Sequence, residues 1–209
     1  MKVEIYNENI VHLSFPTQKE LTLTMCRPQE FYESANSDLC GKVFTFEQFI
    51  DASMDDEGSL DYFTFWSGFN IPGPILEEFF SKFDLSRREQ AIRDATLMLK
   101  DKLYYVISTL DTDTLSLRHE LAHAYYYLSP SYKQSVDVLI RHMSITTKNI
   151  LITELKDMGY ADAVMNDEIN AYLATSTDEY IIEGISCDIS EHDRKPFIDL
   201  AKTTGVFLW

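Results

Sequence analysis

Very little in this chain punctuates or cross-links it. Only seven glycines and six prolines occur in 209 residues, and no repeat or low-complexity tract appears. Three cysteines, Cys26, Cys40 and Cys187, are odd in number, far apart and in no metal-ligand spacing. That excludes a disulfide framework and reads as the reduced thiols of a cytoplasmic protein. Basic side chains are short as well: 18 Lys and Arg stand against 34 Asp and Glu, a net charge of −16. Nucleic acid and anionic membrane surfaces are thereby excluded as partners, because both demand a basic footprint. A basic peptide or protein remains permitted. No stretch approaches the ~20 apolar residues of a membrane span, and Met1 to Tyr6 opens no signal-peptide run. The expected location is the cytoplasm, although export by a machine that reads no N-terminal signal would leave the same pattern.

What the chain does contain is His119-Glu120-Leu121-Ala122-His123. Two histidines four apart on a helix stand one turn above each other, so both rings can reach one metal ion. A glutamate directly after the first lies near enough to a metal-activated water to take its proton. The context is helical. On a wheel, Leu117, Leu121, Ala124 and Leu128 make one stripe, whereas Leu115, His119, His123 and Tyr126 fall nearly opposite. The leucine stripe supplies a core face, which leaves the histidines free of packing duty. Asp111, Thr112, Asp113 and Thr114 offer N-caps. A surface or core pair of histidines is the plainer reading of the same residues, and the pattern can also be accidental in an acidic interaction protein.

The rest of the chain reads as an α+β fold with a small mixed sheet and a helical C-terminal half. At 45% hydrophobic residues and 209 in length it suits one domain, residues 1–209. Within it, residues 1–60 can form a small strand-rich lobe and residues 61–209 the core carrying the motif. Val3 to Tyr6 and Ile10 to Phe15 read as strands across the turn Asn7-Glu8-Asn9, with Leu21 to Met25 a third alternating candidate. A short helix is expected from Pro28, and a brief helix or strand around Phe44 to Ile50. Asp51 to Ser59 is a loop whose acidic run lacks the ligand spacing of a calcium site. Five aromatic residues crowd Asp61 to Pro74. They suit a core strand entering a rigid turn, or a rim where Ser67-Gly68 and Pro72-Gly73 let backbone approach a ligand.

Helical spacing marks Ile75 to Phe83, and Ser86 with Glu89 forms a capping box opening a helix to Leu99. Leu103 to Leu110 is the best strand candidate and feeds the motif helix. Beyond it, Ser129-Pro130 ends that helix and Ser131 can cap the next, with an interruption near Ser144 to Thr147 and a stop at Gly159. Asn166 can cap a shorter helix. Tyr180 to Ile182 reads as a short strand, Glu191 to Lys202 as a last helix, and Val206 to Trp209 as an apolar tail docking on the core.

Residues Leu117 to Tyr125 resemble the active-site helix of zincin metallopeptidases. Uncharged Leu117, Leu121, Ala122, Ala124 and Tyr125 fit that pattern, and Ser116 departs mildly from it. The likeness covers about ten residues. It implies a zinc peptidase with His119 and His123 as ligands and Glu120 as general base. The metzincin continuation is absent, since its glycine and third histidine positions hold Tyr126 and Ser129. In gluzincins the third ligand is a later glutamate, often in the pattern Glu-x-x-Ala-Asp. Glu168-Ile169-Asn170-Ala171-Tyr172 matches except at its last place, which puts Tyr172 where a histidine-orienting aspartate would stand. Glu168 is the favoured third ligand, with Asp167, Glu154, Asp137 and His142 as alternatives. Tyr172, Tyr160, His142 and His192 are candidate donors to a developing oxyanion. The expected function is hydrolysis of peptide bonds by Zn2+-activated water. A zinc hydrolase of another amide or ester, and a zincin-like binding scaffold without turnover, are the alternatives; an intact Glu120 argues against the latter.

Overall fold

The turn Tyr6-Asn7-Glu8-Asn9 sends the chain back on itself, with Asn7 and Glu8 both at positive φ and Asn9 N–H donating to the Tyr6 carbonyl. That geometry matches the right-handed twist of the flanking strands. It joins β1 (Lys2–Tyr6) to β2 (Ile10–Phe15). The structure is a computed structural model that describes residues 1–54, 58–175 and 189–206. Its fold is α+β. Contacts divide the chain into two units, Met1–Leu117 and Arg118–Trp209.

In the first unit β3 (Gly68–Pro72) and β4 (Tyr105–Leu110) complete a four-stranded mixed sheet of order β1-β2-β4-β3. β2 and β4 pair in parallel, and the outer strands run antiparallel to them. The first 60 residues therefore do not stand apart as a lobe; their strands share this sheet. β4 begins two residues later than the expected Leu103, which is exposed.

Both central strands are buried along almost their whole length, as parallel pairing favours. Val11, Leu13, Phe15, Val106, Phe69 and Ile71 pack into a core with Leu21 and Met25 of α1 (Gln18–Glu33), Leu76 of α4 (Gly73–Lys82) and Ile92 of α5 (Arg87–Thr96). A second, phenylalanine-rich cluster joins Phe31, Phe44, Phe79 and Phe83 to Phe49 of α2 (Phe46–Ser53). Phe31 and Phe44 meet Phe83 edge to face, at 5.5 and 5.4 Å, and Phe79 stacks on it at 4.2 Å.

Several expectations are corrected here. Leu21 to Met25 is helix, not strand. Thr17 accepts from the Glu20 N–H to start α1, and buried Thr22 and Thr24 turn their hydroxyls onto the Gln18 and Glu20 carbonyls at 2.9 and 2.7 Å. Once those hydroxyls are satisfied, the alternating Leu and Thr no longer needs a sheet. Pro28 lies inside this helix and does not begin one. The aromatic run enters β3 through a short helix, α3 (Tyr62–Phe65). Gly73 does approach something closely, but it is the Tyr104 ring, with the Gly73 N–H donating to the Tyr104 carbonyl at 2.8 Å. The capping box of Ser86 and Glu89 is present, and a 3-10 turn at Leu97–Leu99 finishes α5.

The regular elements described in the second unit are all helical. α6 (Thr114–Leu128) runs into it, followed by α7 (Pro130–His142), α8 (Ile145–Asp157), α9 (Met165–Thr175) and α10 (Glu191–Thr204). Ser129, not Ser131, caps α7, accepting from the Tyr132 N–H; Ser144 caps α8 at the expected interruption. Asn166 lies within the first turn of α9 and not at its cap. α9 packs against α7, α8 and α10. Tyr125 donates to the Gly205 carbonyl at 3.0 Å, and Val206 is buried. The expected strand Tyr180 to Ile182, Cys187 and the tail from Phe207 lie outside the described residues. Among the described residues no helix is long and apolar enough to cross a membrane.

Candidate metal centre

Asp113 starts the helix that carries the motif. Its carboxylate accepts from the Ser116 N–H at 2.9 Å and from the Ser116 hydroxyl at 2.7 Å. The Ser116 hydroxyl is thereby engaged in the first turn of the helix. One turn on, the i, i+4 spacing brings His119 and His123 together with their Nε2 atoms 3.2 Å apart. The helix is buried more fully than its leucine stripe predicts: Leu121 and Ala124 are buried, but so are Ala122, His123 and Tyr126 on the other side. His119 is partly open, at 20% side-chain exposure.

α9 supplies the carboxylate. Its side chains are buried on nearly every side, and Glu168 is buried among them. Glu168 Oε2 lies 3.9 Å from His119 Nε2 and 3.8 Å from His123 Nε2, and has no hydrogen-bond partner among the described residues. The three ligand atoms sit within 4.8 Å of one another. A tetrahedral zinc with bonds of about 2.0–2.1 Å separates its ligand atoms by roughly 3.3 Å. The donor set of two imidazoles and one carboxylate, the spacing, and the orphaned Oε2 all fit such an ion.

The electrostatics set acidic charge around the two imidazoles. Burial, and then the charge on His123, push His119 well below its usual pKa. Burial also disfavours charge on His123, but the carboxylates of Asp167, Glu168 and Glu120 outweigh it and hold that ring well above the usual value. Burial raises Glu168 to about 7, against the pull of His123. Glu120 is buried, and its charge acts on His123, Glu168, Tyr160 and Tyr172. A buried carboxylate beside two imidazoles is expensive unless a cation joins them.

The alternatives for the third ligand fall elsewhere. Asp137 accepts from Tyr126 at 3.1 Å and from the Asn166 amide at 3.2 Å. His142 is exposed, its Nδ1 2.8 Å from the Val138 carbonyl, and His192 is exposed in α10. Glu154 is half-buried on α8 and outside the group. Asp167 lies 3.0 Å from His123 Nδ1, the nitrogen that faces away from the group. Tyr172 sets its ring edge-on to His119, centroids 4.8 Å apart, and shares a hydrogen bond of 3.2 Å with the Tyr160 hydroxyl. Burial raises Tyr172 to about 12, so its phenol keeps its proton at neutral pH.

Sequence reasoning missed what holds α9 in register. Asn170, fully buried, accepts from the Tyr132 hydroxyl at 3.0 Å and donates to the Ala122 carbonyl at 3.5 Å, between the two histidines. Asn166 does similar work one turn earlier through Asp137. Asn170 is marked in the sequence only as a polar residue between Ile169 and Ala171, and Asn166 by nothing that names its partner. No protein-family model, no curated protein and no solved structure matches this chain.

Proposed function

We propose that this chain is a zinc metallopeptidase with a zincin-like, gluzincin type of site. The observation that carries the reading is the buried Glu168 Oε2, without a hydrogen-bond partner among the described residues and 3.9 and 3.8 Å from the Nε2 atoms of His119 and His123. These three side chains would hold the ion. Zinc, when bound, makes water more acidic and polarises a carbonyl oxygen.

The remaining work belongs to the chain. Glu120, fixed by the helix between the ligating histidines, takes a proton from the attacking water and passes it to the leaving nitrogen. Glu120 is itself buried beside the two histidines. Tyr172, a neutral phenol joined to Tyr160, offers a hydroxyl to the oxygen on which charge develops. The substrate is a peptide or protein, and a basic one would suit the −16 net charge. The cytoplasm is the compartment in which we place this activity.

Metal analysis of the purified chain should find about one zinc per molecule. Glu120→Gln should retain that zinc and lose cleavage of an unstructured protein. A zinc-free chain, or a Glu120→Gln variant that still cleaves at the parental rate, overturns the reading.

A further inference from the structure

We propose that the outer edge of β1 is a dimer interface, to which the same strand of a second copy of this chain adds antiparallel across a two-fold axis. The interface belongs to the sheet of the first unit and requires no metal.

β1 closes one side of the sheet, and among the described residues no strand pairs with its far side. A strand left in this way carries a row of backbone N–H and C=O groups that another strand can take up. Its side chains alternate between the two faces. Val3 and Ile5 stand opposite Leu13 and Val11 of β2, and so extend the face on which those two are fully buried. Yet Val3 is 44% and Ile5 45% exposed. The apolar face thus runs past the core to the edge and meets solvent there. Lys2 and Glu4 occupy the other face, with side chains 73% and 59% exposed. Each has a contact in its own chain, Asp111 at 3.7 Å for Lys2 and the Tyr6 hydroxyl at 3.0 Å for Glu4, and each keeps most of its surface in solvent.

The order of these side chains selects both the partner and the register. A two-fold axis perpendicular to the sheet keeps like faces together, so odd positions meet odd ones. Centring the pair on Val3 sets Val3 against Val3 and each Ile5 against Met1, itself exposed. On the other face it sets each Lys2 against the Glu4 of the other copy. Centring on Glu4 would instead place like charges directly opposite each other, which is destabilising. At −16 per chain, long-range repulsion already works against that register. A lone edge lysine guards a strand against association. A lysine two residues from a glutamate is self-complementary. The strand has only five residues, which suits a weak dimer, with a Kd of about 10–100 µM.

Sedimentation velocity of the full chain, from about 1 to about 200 µM, reads the association. The parent should pass from monomer to dimer over that range. Lys2→Glu and Glu4→Lys should each weaken the dimer by about 10-fold or more, since each turns two attractions into two repulsions. An equimolar mixture of the two variants should dimerise within about 3-fold of the parent, because every charge pair across the edge is again of opposite sign. A variant that had only lost the fold of its first strand would gain nothing from mixing. A parent monomeric at about 200 µM, a dimer indifferent to both reversals, or weakened variants whose mixture stays monomeric each overturns the proposal.

Discussion

Glu168 Oε2 and His123 Nε2 stand 3.8 Å apart, too far for a hydrogen bond and close enough to share an ion. Glu168 is buried, and its Oε2 has no hydrogen-bond partner among the described residues. Such a group costs stability in exchange for what it binds.

Replacing Glu168 by Met should therefore raise the stability of the metal-free chain, by about 1–3 kcal/mol on the usual penalty for a buried unpaired polar group. The same change should remove any rise of the thermal midpoint on adding zinc. Differential scanning calorimetry with and without zinc reads both effects. A metal-free variant less stable than its parent would mean that Glu168 serves the fold.

In the first unit, Arg27 carries a comparable burden. Its guanidinium grips Glu89 through two bonds, of 2.7 and 2.5 Å, donates to the Asp84 carbonyl at 3.1 Å and sits 5.3 Å from the Phe83 ring centre. Glu89 also closes the capping box on the Ser86 N–H. Glu89→Ala strands a cation with 11% side-chain exposure and should cost about 3–5 kcal/mol in urea unfolding. Replacing both partners together by apolar residues should cost clearly less than the sum of the single changes.

Gly73 leaves no room for a methyl group. A Cβ there would stand 2.5 Å from two atoms of the buried Tyr104 ring, whose hydroxyl is tied to Glu77 at 2.8 Å. Gly73→Ala should lower stability by about 1–3 kcal/mol, as overpacking does. Shrinking the ring with Tyr104→Leu in the same chain should recover part of that loss, which a comparison of chemical-denaturation midpoints would reveal.

Asp193 gives the second unit an acid sensitivity. Burial opposes its charge, but bonds from the Thr147 hydroxyl at 2.6 Å, the Ser144 N–H at 3.2 Å and the Ser190 hydroxyl at 3.2 Å hold its carboxyl below the ordinary 3.8. A carboxyl more acidic in the folded chain than in the unfolded one adds stability above the unfolded value and loses it as pH falls through the folded one. Asp193→Asn should thus destabilise the chain at pH 6, and the gap from the parent should narrow below about pH 4. Thermal midpoints taken from pH 6 to 2.5 read this directly, and a gap independent of pH would exclude the charge as its cause.

What the sequence reveals depends on how far apart the partners are. The His119 to His123 spacing, the Ser86 and Glu89 box and the Tyr6 to Ile10 hairpin are each settled within five residues, and each stands in the structure as read. Leu21 to Met25 misled because its alternation suits a strand equally well, and the deciding bonds are made by threonine hydroxyls to their own helix. Asn170 and Tyr132 lie 38 residues apart, Arg27 and Glu89 62. Periodicity carries no trace of such pairs. Glu168 stands out in the sequence only through a resemblance to a known pattern, whereas the 3.0 Å approach of Asp167 to His123 Nδ1 shows only when α9 is set beside α6.

The parallel pairing of β2 with β4 has a kinetic consequence. The His12 ring and the Thr109 hydroxyl share a hydrogen bond across a sequence separation of 97, and every rung of that ladder spans a similar distance. The β1–β2 hairpin can close within microseconds, but β2 keeps an open apolar edge until β4 has been synthesised and finds it. Completion of this sheet is the step expected to limit the folding rate, and the edge of β2 is where a slowed chain would aggregate.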